Sequence, residues 1–109
     1  MSPNAFLGEF EQMVLLAILQ RRDEAFALEV RQVLEERAGR TVARGAFYST
    51  LDRLERTGLV TWSSEEAGPR RRGPLRRFQV TPEGIRGLQA SRRALETLWQ
   101  GLDVLAEEG

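Results

Sequence analysis

The 109 residues contain no cysteine and no histidine, and all sixteen basic residues are arginine, so lysine is missing as well. Without cysteine there is no disulfide framework and no thiolate metal site. Without histidine there is no imidazole ligand and no His-based catalytic triad. Without lysine there is no Schiff base and no phosphate-loop motif. The acid pairs Glu35-Glu36, Glu65-Glu66 and Glu107-Glu108 are sequence neighbours, most simply read as solvated charge, and no glycine-rich run resembles a dinucleotide loop. The chain therefore reads as a non-enzyme with no cofactor and no metal. Long apolar runs are also absent. The longest, Met13–Leu19, is far too short to span a membrane. Glu9 and Glu11 stand where a secretory leader would carry basic charge, so a cytoplasmic location is expected.

A single domain fits this length, and 41% hydrophobic residues is ordinary for a folded protein. A chain this small buries a modest share of its surface, so support from a second subunit is natural. Net charge is zero, but its distribution is uneven. Residues 40–77 hold nine Arg and four acids, net +5, and the remainder holds seven Arg and twelve acids, net −5. Basic charge is thus gathered in the middle third. The exclusive use of Arg is explained equally well by phosphate selection or by a genome-wide compositional bias.

The stretch Thr41–Val60 predicts one helix with a stop signal. Phe47, Leu51 and Leu54 recur at helical spacing, Gly58 comes after the last periodic residue, and Leu59 offers the closing apolar contact. The other face carries Arg44, Tyr48, Ser49, Asp52, Arg53 and Arg56. Ala43, Gly45 and Ala46 keep the leading end slim, as entry into a groove requires. Alone, this pattern fits an ordinary amphipathic helix equally well. The segment after the helix separates the two readings. Leu59–Glu65 predicts a strand, Glu66–Pro74 a turn, and Leu75–Thr81 a second strand whose register the spacing does not fix. Arg70, Arg71, Arg72, Arg76 and Arg77 crowd the tip and return strand, five arginines in eight residues. Guanidinium is planar, always charged and able to bond phosphate in a bidentate way. A helix and then a basic hairpin is the layout of a winged helix-turn-helix.

In LGEFEQMVLLAIL near the start, RGAFYSTLDRLERTGLV in the middle and RRFQVTPEG after the hairpin, the chain resembles the PadR family of transcriptional regulators, in its short form. The resemblance runs from about Leu7 to Gly84. The chain departs from the family at Phe26-Ala27, where Gly-Tyr is common, at Phe78, where Tyr is common, and at Ala43, where a polar residue is usual. The last departure leaves Thr41 as an alternative helix cap. The resemblance implies a sequence-specific, ligand-responsive repressor that acts on its own gene or on a neighbouring transporter or detoxification gene. Candidate groove and phosphate contacts are Arg44, Tyr48, Ser49 and Arg53, with Arg70, Arg71, Arg72 and Arg76 on the wing. The DNA partner is a double-stranded, near-palindromic operator. The competing reading is a winged-helix protein–protein interaction module without DNA binding.

The remaining segments frame this unit. A first helix is expected from Asn4 or Phe6. Phe6, Phe10, Met13, Val14 and Ala17 lie on one face, but it is apolar on most others too, as in a helix buried on all sides. Asp23 is the expected cap of a second helix that ends near Ala38 and closes at Gly39, with Phe26, Val30, Val33 and Leu34 inward. Its acids make it a brace for the next helix rather than a phosphate contact. Thr81-Pro82-Glu83 is a strong helix start. The last helix is expected to reach about Ala106. Leu88, Leu95 and Leu102 recur every seven residues, and Ser91, Leu98 and Leu105 three further on. Mainly α architecture with a small β-hairpin is expected: residues 1–81 a winged helix-turn-helix, 82–109 a dimerisation helix. The heptad predicts a homodimer through Leu88, Leu95, Leu98, Leu102 and Leu105, against the alternative that this helix folds back on the first. Trp99 flanks the seam. With Leu95, Phe6 and Met13 it is the candidate lining of a slot for a planar aromatic effector, or else plain dimer packing. PadR-like proteins of the short form carry a Trp in the matching region, and in some it stacks on drugs.

Overall fold

A computed structural model describes residues 7–66 and 74–102. The elements run α1 (Glu9–Arg21), a 3₁₀ turn (Arg22–Glu24), α2 (Ala27–Arg37), α3 (Arg44–Arg56), β1 (Val60–Glu65), β2 (Leu75–Val80) and α4 (Pro82–Trp99). This is the expected mainly helical fold with one antiparallel hairpin. No helix among the described residues is long and apolar enough to cross a membrane.

The core is built where three helices and the hairpin base meet. Val14, Leu15 and Ile18 of α1, Val30 and Leu34 of α2, and Phe47, Leu51 and Leu54 of α3 are buried together with Val60 and Phe78. Helix α1 begins at Glu9, with Gly8 as its cap residue, and Asn4 and Phe6 lie outside the described residues. It is not buried all round, because Leu16 and Leu19 remain exposed.

Asp23 does not cap the second helix. It sits in the 3₁₀ turn, and the helix begins only at Ala27, with Phe26 as cap residue. The reason is a third, strand-like contact. Phe26 bridges Arg77, and the Phe78 N–H donates to the Ala25 carbonyl at 2.9 Å, so the backbone must stay extended through Phe26. Gly39 takes the expected left-handed conformation, φ +65°.

Neither Thr41 nor any side chain caps α3, whose cap residue is Ala43. Its end has the expected stop. Gly58 has φ +81°, its N–H donates to the Glu55 carbonyl at 3.1 Å, and the Leu59 N–H donates to the Leu54 carbonyl at 2.9 Å. These two bonds satisfy carbonyls that a helix end leaves orphaned. Chain reversal at Gly58 sends the backbone directly into β1. The hairpin register pairs Val60 with Val80 and Trp62 with Phe78, which resolves the spacing of the second strand: Phe78 is buried and Val80 half-buried on one face.

Thr81 caps α4, its hydroxyl accepting the Gly84 N–H at 3.1 Å. The helix stops at Trp99 rather than near Ala106, because Gly101 takes φ +82° and the Leu102 N–H turns back to the Trp99 carbonyl at 2.9 Å. Leu102 is therefore beyond the helix, and Leu105 and Ala106 lie outside the described residues. The heptad is also divided: Leu88 and Ser91 are buried in the protomer's own core, while Leu95 and Leu98 stand exposed.

Candidate nucleic-acid interface

Helix α3 turns Phe47, Leu51 and Leu54 inward, so the residues between them are left outward. Arg44, Tyr48, Ser49, Asp52, Arg53 and Arg56 are all exposed. The Arg44 guanidinium lies over the Tyr48 ring at 5.8 Å, one helical turn away, and Tyr48 meets the buried Phe47 edge to face at 5.3 Å. The leading end of the helix is thereby stiffened by side-chain stacking, in spite of its small residues and missing cap.

Arg53 is engaged differently. Its Nε donates to Oε2 of Glu11 in α1 at 2.9 Å. Partial burial alone would raise the Glu11 carboxyl. The Gly8 N–H, which donates to it at 2.8 Å, and the Arg53 hydrogen bond and charge outweigh that effect and hold it below the ordinary carboxylate value. Glu11 thus fixes one edge of α3 against α1. Glu11 also takes the Gly8 N–H three residues back, one half of a capping box, since glycine has no side chain to return the bond.

At the base of the wing, Arg76 stacks over the Trp62 ring at 4.4 Å. The Trp62 indole Nε1 donates to Oε2 of Glu55 on α3 at 2.7 Å. One aromatic ring therefore joins a wing arginine to the candidate recognition helix. Arg77 is half-buried and ion-paired with Glu65 at 2.7 Å. Arg70, Arg71 and Arg72 lie outside the described residues. Of the sequence candidates, Arg44, Tyr48, Ser49 and Arg53 share the outer face of α3, and Arg76 lies beside it on β2.

On a separate part of the chain, α1 and α4 form an apolar groove of about 550 Å³. Of the residues expected around a planar effector, Trp99 and Leu95 border this groove, and Met13 packs on the core. Phe6 lies outside the described residues. Leu16 and Leu19 also line it, with Gln12, Ile85 and Leu88 among others; they face outward because Val14, Leu15 and Ile18 take the core.

The family model described as "Transcriptional regulator PadR-like family" matches residues 15–90. Among solved structures, a PadR-like transcription factor from Bacteroides fragilis is 25% identical, with a TM-score of 0.64, covering 91% of this chain and 87% of that one. A PadR family transcriptional regulator from Eggerthella lenta DSM 2243 is 24% identical, with a TM-score of 0.67 over 93% of this chain and 88% of that one, and shares the fold. The fold is also shared by the circadian clock associated protein Pex from Anabaena, 23% identical, with a TM-score of 0.57 and coverage of 96% and 88%. No curated protein matches the sequence.

Proposed function

The chain belongs to the PadR-like family of transcriptional regulators, and from that premise we propose that it works in the cytoplasm as a homodimeric, ligand-responsive repressor on a near-palindromic operator. The observation that carries the dimer is the apolar surface one protomer leaves uncovered. Leu16 (50%), Leu19 (39%), Leu95 (51%), Leu98 (72%) and Trp99 (53%) are exposed on neighbouring stretches of α1 and α4. Fully burying such side chains is worth roughly 1.5–3 kcal/mol each, and a contiguous patch of this kind marks an interaction surface. A second copy would bring the same surface, as two-fold pairing requires. The interface favoured by these exposures uses Leu95, Leu98 and Trp99 with Leu16 and Leu19. It is narrower than a leucine seam from Leu88 to Leu105.

Pairing two protomers sets two α3 helices a fixed distance apart. An operator read by both would hold two half-sites about one helical turn apart, roughly 34 Å. Arg44, Tyr48 and Ser49 are assigned to the groove, and Arg53 with wing residues Arg70, Arg71, Arg72 and Arg76 to phosphates. A planar aromatic effector fits beside Trp99, between α1 and α4 and against the partner. It would act only through unequal affinity for two dimer arrangements that space the α3 helices differently.

Sedimentation at micromolar concentration tests the dimer, and fluorescence tests the effector. Trp62 and Trp99 are the only tryptophans, so Trp62→Phe leaves Trp99 as sole reporter. The expected result is a dimer whose Trp99 emission is saturably quenched by flat aromatic dyes, with operator affinity falling in parallel. An intact dimer that a broad aromatic panel neither quenches nor releases from DNA makes Trp99 a packing residue only.

A further inference from the structure

Four side chains form a row that runs from the front of α3 back onto α2. The Arg31 guanidinium of α2 lies over the Phe47 ring, 6.0 Å from its centroid. Phe47 touches Tyr48 edge to face at 5.3 Å and 77°. Arg44 covers Tyr48 at 5.8 Å. An aromatic pair is thus flanked by two guanidinium groups, one from each helix of the helix-turn-helix. We propose that Arg31 is a phosphate contact, the α2 counterpart of Arg44 on the DNA-binding face.

Arg31 differs from most other arginines in its partners. Among the described residues Arg21, Arg40, Arg53, Arg77, Arg86 and Arg92 each have a carboxylate partner. Arg37 instead bonds Gln20 Oε1 at 2.7 Å. Arg31 and Arg44 have neither kind of partner among those residues and are held by rings alone. A guanidinium with no carboxylate or carbonyl on it keeps its fork of donors open to a phosphate.

Burial says which donors are open. Arg31 is half-buried, and its Nε is shielded from solvent without a hydrogen-bond partner. Its terminal nitrogens are not shielded in this way. The inner end of the fork is therefore fixed against Phe47 while the outer end faces water. Phe47 is fully buried, so the platform cannot move without disturbing the core. Pre-ordering of this kind lowers the entropy lost when the fork meets a phosphate. By sequence α2 is a brace only. The structure adds a charge where α2 meets α3 at Phe47.

The proposal rests on α3 being the recognition helix, and the experiment separates the two. Arg31→Met keeps an unbranched stem on Phe47 and removes the charge. Arg31→Lys keeps the charge and loses the planar stack. Affinity for random duplex and for a selected operator is measured across salt concentrations, with the unfolding temperature recorded for each variant. The expected result is a shallower salt slope for Arg31→Met, by about one for each protomer bound, on both DNAs alike, with the slope kept in Arg31→Lys. A parental slope and affinity in Arg31→Met overturns the proposal, whether or not its unfolding temperature falls. A parent protein without salt-dependent affinity for any duplex overturns this proposal and the DNA-binding reading together.

Discussion

The Thr81 hydroxyl donates to the Gly58 carbonyl across 2.7 Å. Gly58 ends α3 and Thr81 starts α4, so this bond clamps the two ends of the hairpin to each other. The Thr81 N–H adds a second tie to the Leu59 carbonyl at 3.0 Å. In the proposed dimer, a movement of α4 would reach the foot of α3 through these two bonds.

Thr81→Ala removes both the α4 cap and the tie to Gly58. It should cost about 0.5–2 kcal/mol, the range for a lost cap, seen as a lower denaturant midpoint at unchanged slope. Thr81→Ser keeps both bonds and should restore most of it. A Thr81→Ala midpoint equal to that of the parent would show that the clamp carries no stability.

Gly84 is fixed by space rather than by backbone freedom. A Cβ there would stand 2.5 Å from the Leu59 carbonyl oxygen and 2.6 Å from Val80 Cγ1. Gly84→Ala forces α4 away from the hairpin and should cost about 3 kcal/mol, at the upper end of overpacking. Gly45 has open space at the same point, and Gly45→Ala should be stability-neutral or mildly stabilising, by up to about 1 kcal/mol, because Ala is the better helix former. Equal thermal shifts for the two variants would contradict this account.

Glu11 gives the acid limb of stability a definite sign. Its folded pKa lies below its ordinary value of 4.5. The stabilisation is therefore complete above that value and is lost as pH falls through the depressed folded one. Glu11→Gln should leave a smaller fall in unfolding temperature between neutral pH and about pH 3 than the parent shows. Parallel curves for parent and variant would remove Glu11 from the acid response.

The Glu55–Trp62–Arg76 chain predicts coupling between wing and helix. Trp62→Phe keeps a ring beneath Arg76 but deletes the indole donor to Glu55. It should weaken DNA binding severalfold, and adding Glu55→Gln should then change little, since the two act through one bond. Fully additive losses would mean that no such coupling exists.

Much of this was legible in the sequence because local rules agreed. The 3.6-residue period of Phe47, Leu51 and Leu54, with Gly58 as a stop, sets α3 and its outer face, and Thr81-Pro82 sets the start of α4. The misreadings came from terms that periodicity does not contain. The Asp23 cap is overridden by the Phe26–Arg77 bridge between segments distant in sequence. The seven-residue leucine spacing continues past Trp99, but Gly101 ends the helix there, and Leu88 finds its cover inside its own protomer. Ring stacking of Arg31 on Phe47 crosses two helices, and no spacing rule in one of them announces it.

The most direct test of the central claim is the affinity of the intact protein for random duplex and for an operator selected from a random pool, titrated over salt. The account predicts steep salt dependence on both, a near-palindromic operator bound more tightly, and a loss of that preference in Arg44→Ala. Salt-independent or absent binding to every duplex would contradict it, and would favour a protein-interaction role for the same fold.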